Sequence, residues 1–191
     1  LRGFFLEVAK AEGWNPYGVE ISQYAANIAQ QKFGERIFYG NLRDSSLPRQ
    51  FFDVITAWDY IEHVKNPVEE LTRMHALLKN DGLLVLSTPD ILSLPAKMTG
   101  EKWMGYKDDE HLYYFSLRTM CKALERSGFT VIRKEHIGKY ISLEFFAKRL
   151  AAYSALMSRL LMHSIPKAFS TTSLYINPQD ILCVYAKKNR S

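Results

Sequence analysis

The chain has 191 residues, of which 47% are hydrophobic and 24% are charged, a balance typical of a soluble globular protein with one α/β domain over residues 1–191. It holds no apolar run that could cross a bilayer and no secretion signal, so we expect a cytoplasmic protein. Cys121 and Cys183 do not have the spacing of a metal site, so we expect both to be reduced thiols. The net charge of +5 comes from the second half of the chain, but the basic residues there are scattered, which argues against a nucleic-acid partner. The sequence makes no prediction of the oligomeric state.

Helices and strands alternate along the sequence. Residues 4–12 have the apolar spacing of a helix that Gly13 ends, and Ser22 can cap a second helix. Pro67 suits the first turn of a third helix, and residues 117–128 and about 141–163 predict further helical segments. Runs rich in apolar and β-branched residues predict strands at about 16–20, 36–40, 52–58, 83–88, 129–136 and 180–188.

This alternation predicts an α/β fold in which a mostly parallel sheet carries helices on both faces. The two late strands, with an insertion between them, predict a hairpin at one edge of the sheet and therefore an antiparallel edge strand. Ligands of such sheets bind at the carboxyl ends of the strands. The candidate functional residues are those that directly follow each strand.

Glu20 ends one of the predicted strands. A carboxylate at this place, about twenty residues after a glycine turn, can accept hydrogen bonds from both hydroxyls of a ribose. The alternative is that Glu20 interacts with the N-terminus of the helix that begins near Ser22. Asn41 follows the next strand, where it can bind an adenine amino group or make a turn after Gly40.

Three blocks of the chain resemble the class I S-adenosylmethionine-dependent methyltransferases, in particular the group that includes ubiquinone-biosynthesis O-methyltransferases. They read GFFLEVAKAEGWNPYGVEIS, FFDVITAWDYIEHVKNPVEELTRMHALLKNDGLLVLSTPD and DEHLYYFSLRTMCKALERSGF. The resemblance implies a Rossmann-like methyltransferase fold and methyl transfer from S-adenosylmethionine to a small-molecule acceptor, with oxygen as the favoured atom. Gly3 would match the last glycine of the family's first glycine-rich turn, so we expect the first strand of the sheet to be missing from this chain.

The same resemblance implies a set of cofactor-binding residues: Gly3, Glu20, Ile21, Asn41, Leu42, Trp58 and Asp59. Two other classes of function stay open. A NAD-dependent enzyme would use an acid such as Glu20 in the same way, although the WDYIEHV and DGLLVLSTP blocks favour a methyltransferase. The main alternative is a non-catalytic, methyltransferase-like binding protein.

The stretch WDYIEHV, residues 58–64, is the richest in potential ligands and bases. If a helical turn follows the strand, Asp59, Glu62 and His63 share one face, and His111 follows the next strand at the same edge of the sheet. Together they resemble the metal site of small-RNA 2′-O-methyltransferases, in which a divalent metal holds two neighbouring hydroxyls. Without a metal, Glu62 and His63 would brace the turn, and His111 would be the general base. We expect His111 and Asp59 to be the catalytic residues.

Substrate choice is expected to depend on two cover segments, near 93–115 and 141–164. The first offers aromatic residues for an acceptor pocket, although aromatic residues are commonly core: Trp103, Tyr106, Tyr113, Tyr114 and Phe115. The second has an apolar stripe at Phe146, Leu150, Tyr153, Met157, Leu160 and Leu161. The stripe favours packing on the domain. The basic residues beside it, Lys148, Arg149 and Arg159, also permit binding to a membrane surface, which is the less favoured alternative.

Overall fold

The computed structural model describes residues 3–150, 154–164 and 172–189. Contacts divide the chain into two compact units, Leu1–Phe51 and Phe52–Ser191. Both cysteines are free thiols, with Cys183 buried and Cys121 half-buried. Among the described residues, no helix is both long enough and apolar enough to span a bilayer.

The first unit is a small α/β layer. It contains, in chain order, α1 (Phe4–Ala11), β1 (Gly18–Glu20), α2 (Gln23–Phe33) and β2 (Ile37–Tyr39). The two strands pair in parallel, with Gly18 opposite Ile37 and Glu20 opposite Tyr39. Burial of α2 against β2 builds a core from Ala26, Ala29, Phe33 and Ile37, with Leu6 of α1 packed against it.

Local signals in the sequence explain the ends of α2. The hydroxyl of Ser22 accepts a hydrogen bond from the backbone N–H of Ala25, so it satisfies one of the free donors at the helix start. Gly34 follows the helix with a positive φ of 60°, a conformation that costs glycine little because it has no side chain. The predicted strands at 16–20 and 36–40 are confirmed as the short strands β1 and β2.

The second unit holds a four-stranded sheet, a separate hairpin and the remaining helices. In chain order these are β3 (Phe52–Trp58), α3 (Pro67–Leu77), β4 (Leu78–Pro89), α4 (Leu94–Thr99), α5 (Leu117–Arg126), β5 (Phe129–His136), β6 (Lys139–Ser142), α6 (Leu143–Leu150), α7 (Ala155–Ser164), β7 (Ser173–Ile176) and β8 (Ile181–Lys188). The strand order in the main sheet is β3-β4-β8-β5, and β6 pairs with β7.

The main sheet is mostly parallel with one antiparallel strand, as predicted, but that strand, β8, lies inside the sheet and not at its edge. β3 and β4 are parallel, whereas β8 runs antiparallel to both β4 and β5. The predicted hairpin between the two late strands is confirmed, and β8 is its inner strand while β5 lies at the edge. β3, β4 and β5 therefore run in the same direction, so their carboxyl ends lie on one side of the sheet.

The helices of the second unit are capped as their sequences indicate. Asn66 caps α3 through the backbone N–H of Glu69, and Pro67 occupies its first turn. Ser116 and Thr119 form a reciprocal capping box at the start of α5. The apolar faces of these helices include Leu71, Met74, Met120 and Leu124, which are buried, as are Leu84, Leu86, Leu182 and Val184 of the sheet.

The segment predicted as mostly helical from about 141 to 163 is partly wrong. Residues Lys139–Ser142 form β6 and pair with Ser173–Ile176, and α6 and α7 follow as two separate helices. The strand was missed because its partner lies more than thirty residues later, where no local pattern reveals the pairing. Of the predicted apolar stripe, Met157 and Leu160 are exposed. Tyr153 lies outside the described residues, as do the side chains of Phe146, Arg149, Leu150 and Leu161.

Candidate active site

The carboxyl end of β3 bends sharply into the candidate site. Asp59 has a positive φ of 46°, and its backbone N–H donates to the Ser87 carbonyl and hydroxyl on β4, at 3.2 Å in each case. A single 3₁₀ turn, Ile61–His63, follows. The predicted helical face shared by Asp59, Glu62 and His63 does not form, because Asp59 has a left-handed backbone and the helical turn begins only at Ile61.

Glu62 is a buried carboxylate, only 1% exposed, at the centre of the site. Its Oε2 accepts a hydrogen bond of 3.0 Å from the Thr88 hydroxyl at the end of β4. Its Oε1 is buried and has no hydrogen-bond partner among the described residues. Burial raises the pKa of Glu62, and the interaction of its carboxylate with its own backbone N–H, followed by the Thr88 hydrogen bond, offsets part of that rise. A buried carboxylate oxygen without a partner is costly, and it indicates a place for a proton or a cation.

The backbone of Glu62 also anchors the segment that carries His111. The Glu62 carbonyl accepts from the N–H of Leu112 at 2.8 Å and of Tyr113 at 3.2 Å. A few residues later, Phe115 bridges to Asp90 beside the end of β4. The segment between β4 and α5 therefore returns to the carboxyl edge of the sheet, and His111 lies next to the turn that holds His63.

The imidazoles of His63 and His111 are each held by a hydrogen bond to a backbone carbonyl. Their rings lie edge to face, with centroids 4.7 Å apart. Nδ1 of His63 is 2.8 Å from the Glu110 carbonyl, and Nδ1 of His111 is 3.0 Å from the Gly105 carbonyl. Since a carbonyl only accepts, Nδ1 is the donor in both rings, and each neutral ring keeps the lone pair on Nε2. Burial and the neighbouring His63 lower the pKa of His111, which favours its neutral form.

Glu62, His63 and His111 each place one potential ligand atom within 4.8 Å of the others. The structure thus brings together three of the four residues predicted as metal ligands. Asp59 is not among them, because its Oδ1 accepts from the Ser87 hydroxyl at 3.2 Å and its Oδ2 from Lys139 Nζ at 2.7 Å. Trp58, the neighbouring candidate for cofactor binding, is half-buried at the end of β3.

The other candidate cofactor residues belong to the first unit. Glu20 ends β1, and its Oε1 accepts from the backbone N–H of Ser22 at 2.9 Å, which is the alternative contact with the start of the next helix. Asn41 donates to the Asp44 carboxylate at 3.1 Å, within a turn. Gly3 precedes α1 with a positive φ of 78°. Ile21 is exposed, and Leu42 is half-buried.

The aromatic residues of the first cover segment divide into two groups. Trp103 and Phe115 are buried, and the indole N–H of Trp103 donates to Asp180, so these two belong to the core. Tyr106 and Tyr114 stack with their centroids 5.1 Å apart, and the Tyr114 ring lies 6.0 Å from His111. The stacked tyrosines are therefore the aromatic neighbours of the His111 imidazole.

Several residues of the site were not assigned a role from the sequence. Ser87, Thr88 and Lys139 hold the carboxylates of Asp59 and Glu62, and Gly105 orients His111 through its carbonyl. Ser87 and Thr88 could have been found, because they end a predicted strand and such residues face the site. Lys139 could not, because it lies 80 residues after Asp59 in a strand that was not predicted.

Residues 2–134 match the family described as a methyltransferase domain. The chain belongs to that family. This confirms the predicted class of S-adenosylmethionine-dependent methyltransferase, while the narrower group of ubiquinone O-methyltransferases stays a prediction. No curated protein matches the sequence.

Solved structures share the methyltransferase fold at low sequence identity. An S-adenosylmethionine-dependent methyltransferase from Archaeoglobus fulgidus is 20% identical, with a TM-score of 0.65 over 98% of this chain and 82% of that one. A Burkholderia thailandensis 1,6-didemethyltoxoflavin-N1-methyltransferase, solved with S-adenosylhomocysteine, is 16% identical, with a TM-score of 0.58 over 99% and 68%. The [4+2]-cyclase SpnF is 16% identical, with a TM-score of 0.63 over 100% and 73%. At these identities the likeness shows the fold.

Proposed function

We propose that this methyltransferase transfers the methyl group of S-adenosylmethionine to an oxygen of a small-molecule acceptor, with His111 as the general base. The observation that carries the proposal is the His111 ring, which is buried and bound through Nδ1 to the Gly105 carbonyl. This leaves Nε2 as the acceptor of a proton at the edge of the sheet where ligands bind. The lowered pKa keeps the ring neutral at pH 7, as a base requires.

The chemistry needs little else from the protein. S-adenosylmethionine supplies a methyl group on a positively charged sulfur, which is a good leaving group. The enzyme has to align the acceptor oxygen with that methyl group and take up the hydroxyl proton. A neutral amine can attack the methyl group with its lone pair and lose its proton afterwards, whereas a hydroxyl is a poor nucleophile unless a base removes its proton during the transfer. A buried neutral imidazole is therefore most useful to a hydroxyl acceptor. The buried His111 imidazole therefore favours O-methylation over N-methylation.

The proposed cofactor-binding residues are those expected from the family resemblance. Glu20 ends a parallel strand, and its carboxylate suits the two hydroxyls of a ribose. Asn41 and Leu42 follow the neighbouring strand, and Trp58 and Asp59 end β3. Gly3 and Ile21 complete the set. A small-molecule acceptor is the proposed partner, and the two free thiols fit the proposed cytoplasmic location.

A divalent metal at Glu62, His63 and His111 is a second candidate, and the unpartnered Oε1 of Glu62 favours it. The donor set of one carboxylate and two imidazoles suits a transition-metal ion. Each imidazole also donates its Nδ1–H to a backbone carbonyl, as metal-bound histidines commonly do. When bound, such an ion would supply a Lewis acid for neighbouring hydroxyls of the acceptor. Glu62 and both histidines would then be ligands, and Asp59 would stay with Ser87 and Lys139.

Methyl transfer from radiolabelled S-adenosylmethionine to paired acceptors tests the proposal. A catechol and the corresponding monophenol, each compared with the matching aniline, separate oxygen from nitrogen as the acceptor atom. We expect label in the hydroxyl compounds, and a requirement for two neighbouring hydroxyls only if a metal takes part. Label in the anilines alone would overturn the oxygen assignment. Binding of S-adenosylhomocysteine without transfer to any acceptor class would favour the non-catalytic alternative.

A further inference from the structure

Helix α7 carries its large apolar side chains on its outer side. Ser158 is buried at 8% exposure, whereas Leu156, Met157 and Leu160 are 67%, 58% and 60% exposed. Residues two positions apart in a helix are separated by about 200° around its axis, so Leu156 and Leu160 lie almost opposite Ser158. A helix that packs only on its own domain has the reverse pattern. Packing on the domain, which the sequence favoured for this stripe, is therefore wrong for Met157 and Leu160.

Helix α4 has the same inverted pattern. Ala96 is buried at 6% exposure, and Leu94 and Met98, two positions before and after it, are 69% and 76% exposed. Single exposed apolar residues are common on protein surfaces. Two helices that each bury a small residue and expose large ones on the opposite side instead indicate a surface that another molecule covers.

The hairpin of β6 and β7 adds two tyrosines to the exposed apolar residues. Tyr140 and Tyr175 are paired across the two strands, with their ring centroids 5.3 Å apart, and they are 76% and 54% exposed. Helix α6 packs against both β6 and α7, so the hairpin and α7 belong to one packed segment. Tyrosine is favoured where an apolar phase meets water, because its ring is apolar and its hydroxyl is polar.

The charge around these residues is positive. Residues 139–176 include five lysines and arginines but a single acid, Glu144. Neither α4 nor α7 contains an acid, and each has an exposed basic residue next to its apolar ones, Lys97 in α4 and Arg159 in α7. The partner of this surface should therefore be both apolar and negatively charged.

A bilayer that contains anionic lipid has both properties. Its acyl chains accept apolar side chains, and its phosphates attract lysine and arginine. A second copy of the chain fits less well, because a two-fold contact places the same surface on both sides and brings like charges together.

We propose that α4, α7 and the β6–β7 hairpin bind the surface of an anionic lipid bilayer. The exposed leucines and methionines enter the boundary between headgroups and acyl chains, Lys97 and Arg159 bind lipid phosphates, and the tyrosines lie among the headgroups. Helices of 6 and 10 residues lie along the bilayer surface, because spanning it takes about 20 residues. Binding of this kind does not depend on which atom of the acceptor is methylated.

Sedimentation of the whole protein with lipid vesicles tests the proposal. One set of vesicles is phosphatidylcholine alone, and the other is equal parts of phosphatidylcholine and phosphatidylglycerol. We expect binding to the anionic vesicles to be about tenfold stronger than to the neutral ones, and to weaken as salt is added. Leu156→Gln combined with Leu160→Gln should weaken binding to the anionic vesicles by about tenfold or more, because two buried leucines are lost.

The charge and the position of the surface are tested with further variants. Arg159→Gln should reduce the preference for anionic vesicles, and Arg159→Lys should keep it, because a lysine also attracts lipid phosphates. Val8→Gln combined with Ile132→Gln is the matched control, since it removes two apolar residues that are 46% and 52% exposed elsewhere on the chain. It should bind vesicles as the wild-type protein does. Circular dichroism verifies that every variant is folded.

Each other outcome contradicts the proposal in its own way. A wild-type protein that sediments with neither kind of vesicle would overturn it. Equal binding by the double leucine variant and the wild-type protein would exclude α7 as the lipid-binding helix. A dimer in analytical ultracentrifugation that the double leucine variant loses, without vesicle binding, would assign the surface to a second copy of the chain.

Discussion

His63 and His111 face each other edge to face at 4.7 Å, and each donates its Nδ1–H to a backbone carbonyl of the same segment, at Glu110 and Gly105. The two basic nitrogens of the site are therefore fixed by main-chain atoms rather than by neighbouring carboxylates. An imidazole held in this way keeps its tautomer when a ligand binds, because the backbone that orients it does not titrate.

His111→Ala should reduce methyl transfer by about 100-fold or more, the usual contribution of a general base. Affinity for S-adenosylhomocysteine should change less than twofold, because the proposed role of His111 concerns the acceptor. The two quantities are measured by single-turnover transfer of radiolabel and by calorimetry. His163→Ala, at an exposed histidine of α7, is the control. Full activity of His111→Ala in the presence of a chelator would exclude both the base and the metal.

Glu62→Gln should remove metal binding while the fold is retained. The amide keeps the size of the side chain and one hydrogen-bond partner for Thr88, but it loses the charge that a cation needs. Equilibrium dialysis against Mn²⁺ or Zn²⁺ measures the effect, with circular dichroism to confirm folding. Glu125→Gln on the exposed side of α5 is the matched variant. Equal metal uptake by both variants would exclude Glu62 as a ligand.

Glu20→Ala should weaken S-adenosylmethionine binding by about 1.5–3 kcal/mol, the range for hydrogen bonds to a charged group. Because Glu20 also contacts the N–H of Ser22, thermal unfolding without ligand is needed to detect any loss from that helix start. Glu35→Ala, an exposed acid of the same unit, should leave the affinity intact. A variant that loses thermal stability but keeps its affinity would assign Glu20 to the helix alone.

His75 should make the protein less stable in acid. Burial, and then the charge of Lys188, lower the pKa of His75, so the unfolded chain binds the proton more readily than the folded protein. Stability from this group is complete above about pH 6.5 and is lost as the pH falls toward the lower folded value. Between pH 7 and pH 5, the free energy of unfolding measured in urea should fall less for His75→Gln than for the wild-type protein. His163→Gln should follow wild type, and a parallel curve for His75→Gln would contradict the prediction.

Gly128→Ala should destabilise the second unit. Gly128 has a positive φ of 86°, which alone costs alanine about 1–2 kcal/mol, and a Cβ there would lie 2.9 Å from His75 Nε2. Gly13→Ala is a matched comparison, because its φ is 84° and a Cβ would have no neighbour within 4 Å. Denaturant unfolding should therefore show the larger loss at Gly128. A smaller loss there than at Gly13 would mean that His75 moves aside without cost.

Much of the fold could be predicted because its signals are local. The strands at 52–58 and 129–136 are confirmed with the same bounds, since both begin with apolar and β-branched residues that favour strands. The approach of His63 to His111 was also predictable, because both follow strands whose carboxyl ends lie on one side of the sheet.

The remaining features depend on contacts between distant segments. The pairing of Lys139–Ser142 with Ser173–Ile176 has no local pattern, so it was mistaken for part of a helix. The Asp59 carboxylate is held by two partners, Ser87 and Lys139, that lie 28 and 80 residues later in the chain. A rule based on helical spacing cannot include such partners, which is why Asp59 was placed with the metal ligands.

The position of β8 has a consequence for how the protein is made. This strand is the latest of the described strands in the chain, yet it lies between β4 and β5 and is hydrogen-bonded to both. During synthesis, both neighbours leave the ribosome before Ile181–Lys188 exists, and until then each presents an unpaired edge to other chains. The newly made protein therefore passes through a stage in which aggregation competes with closure of the sheet, and a truncation or stalled ribosome before Ile181 would hold it there.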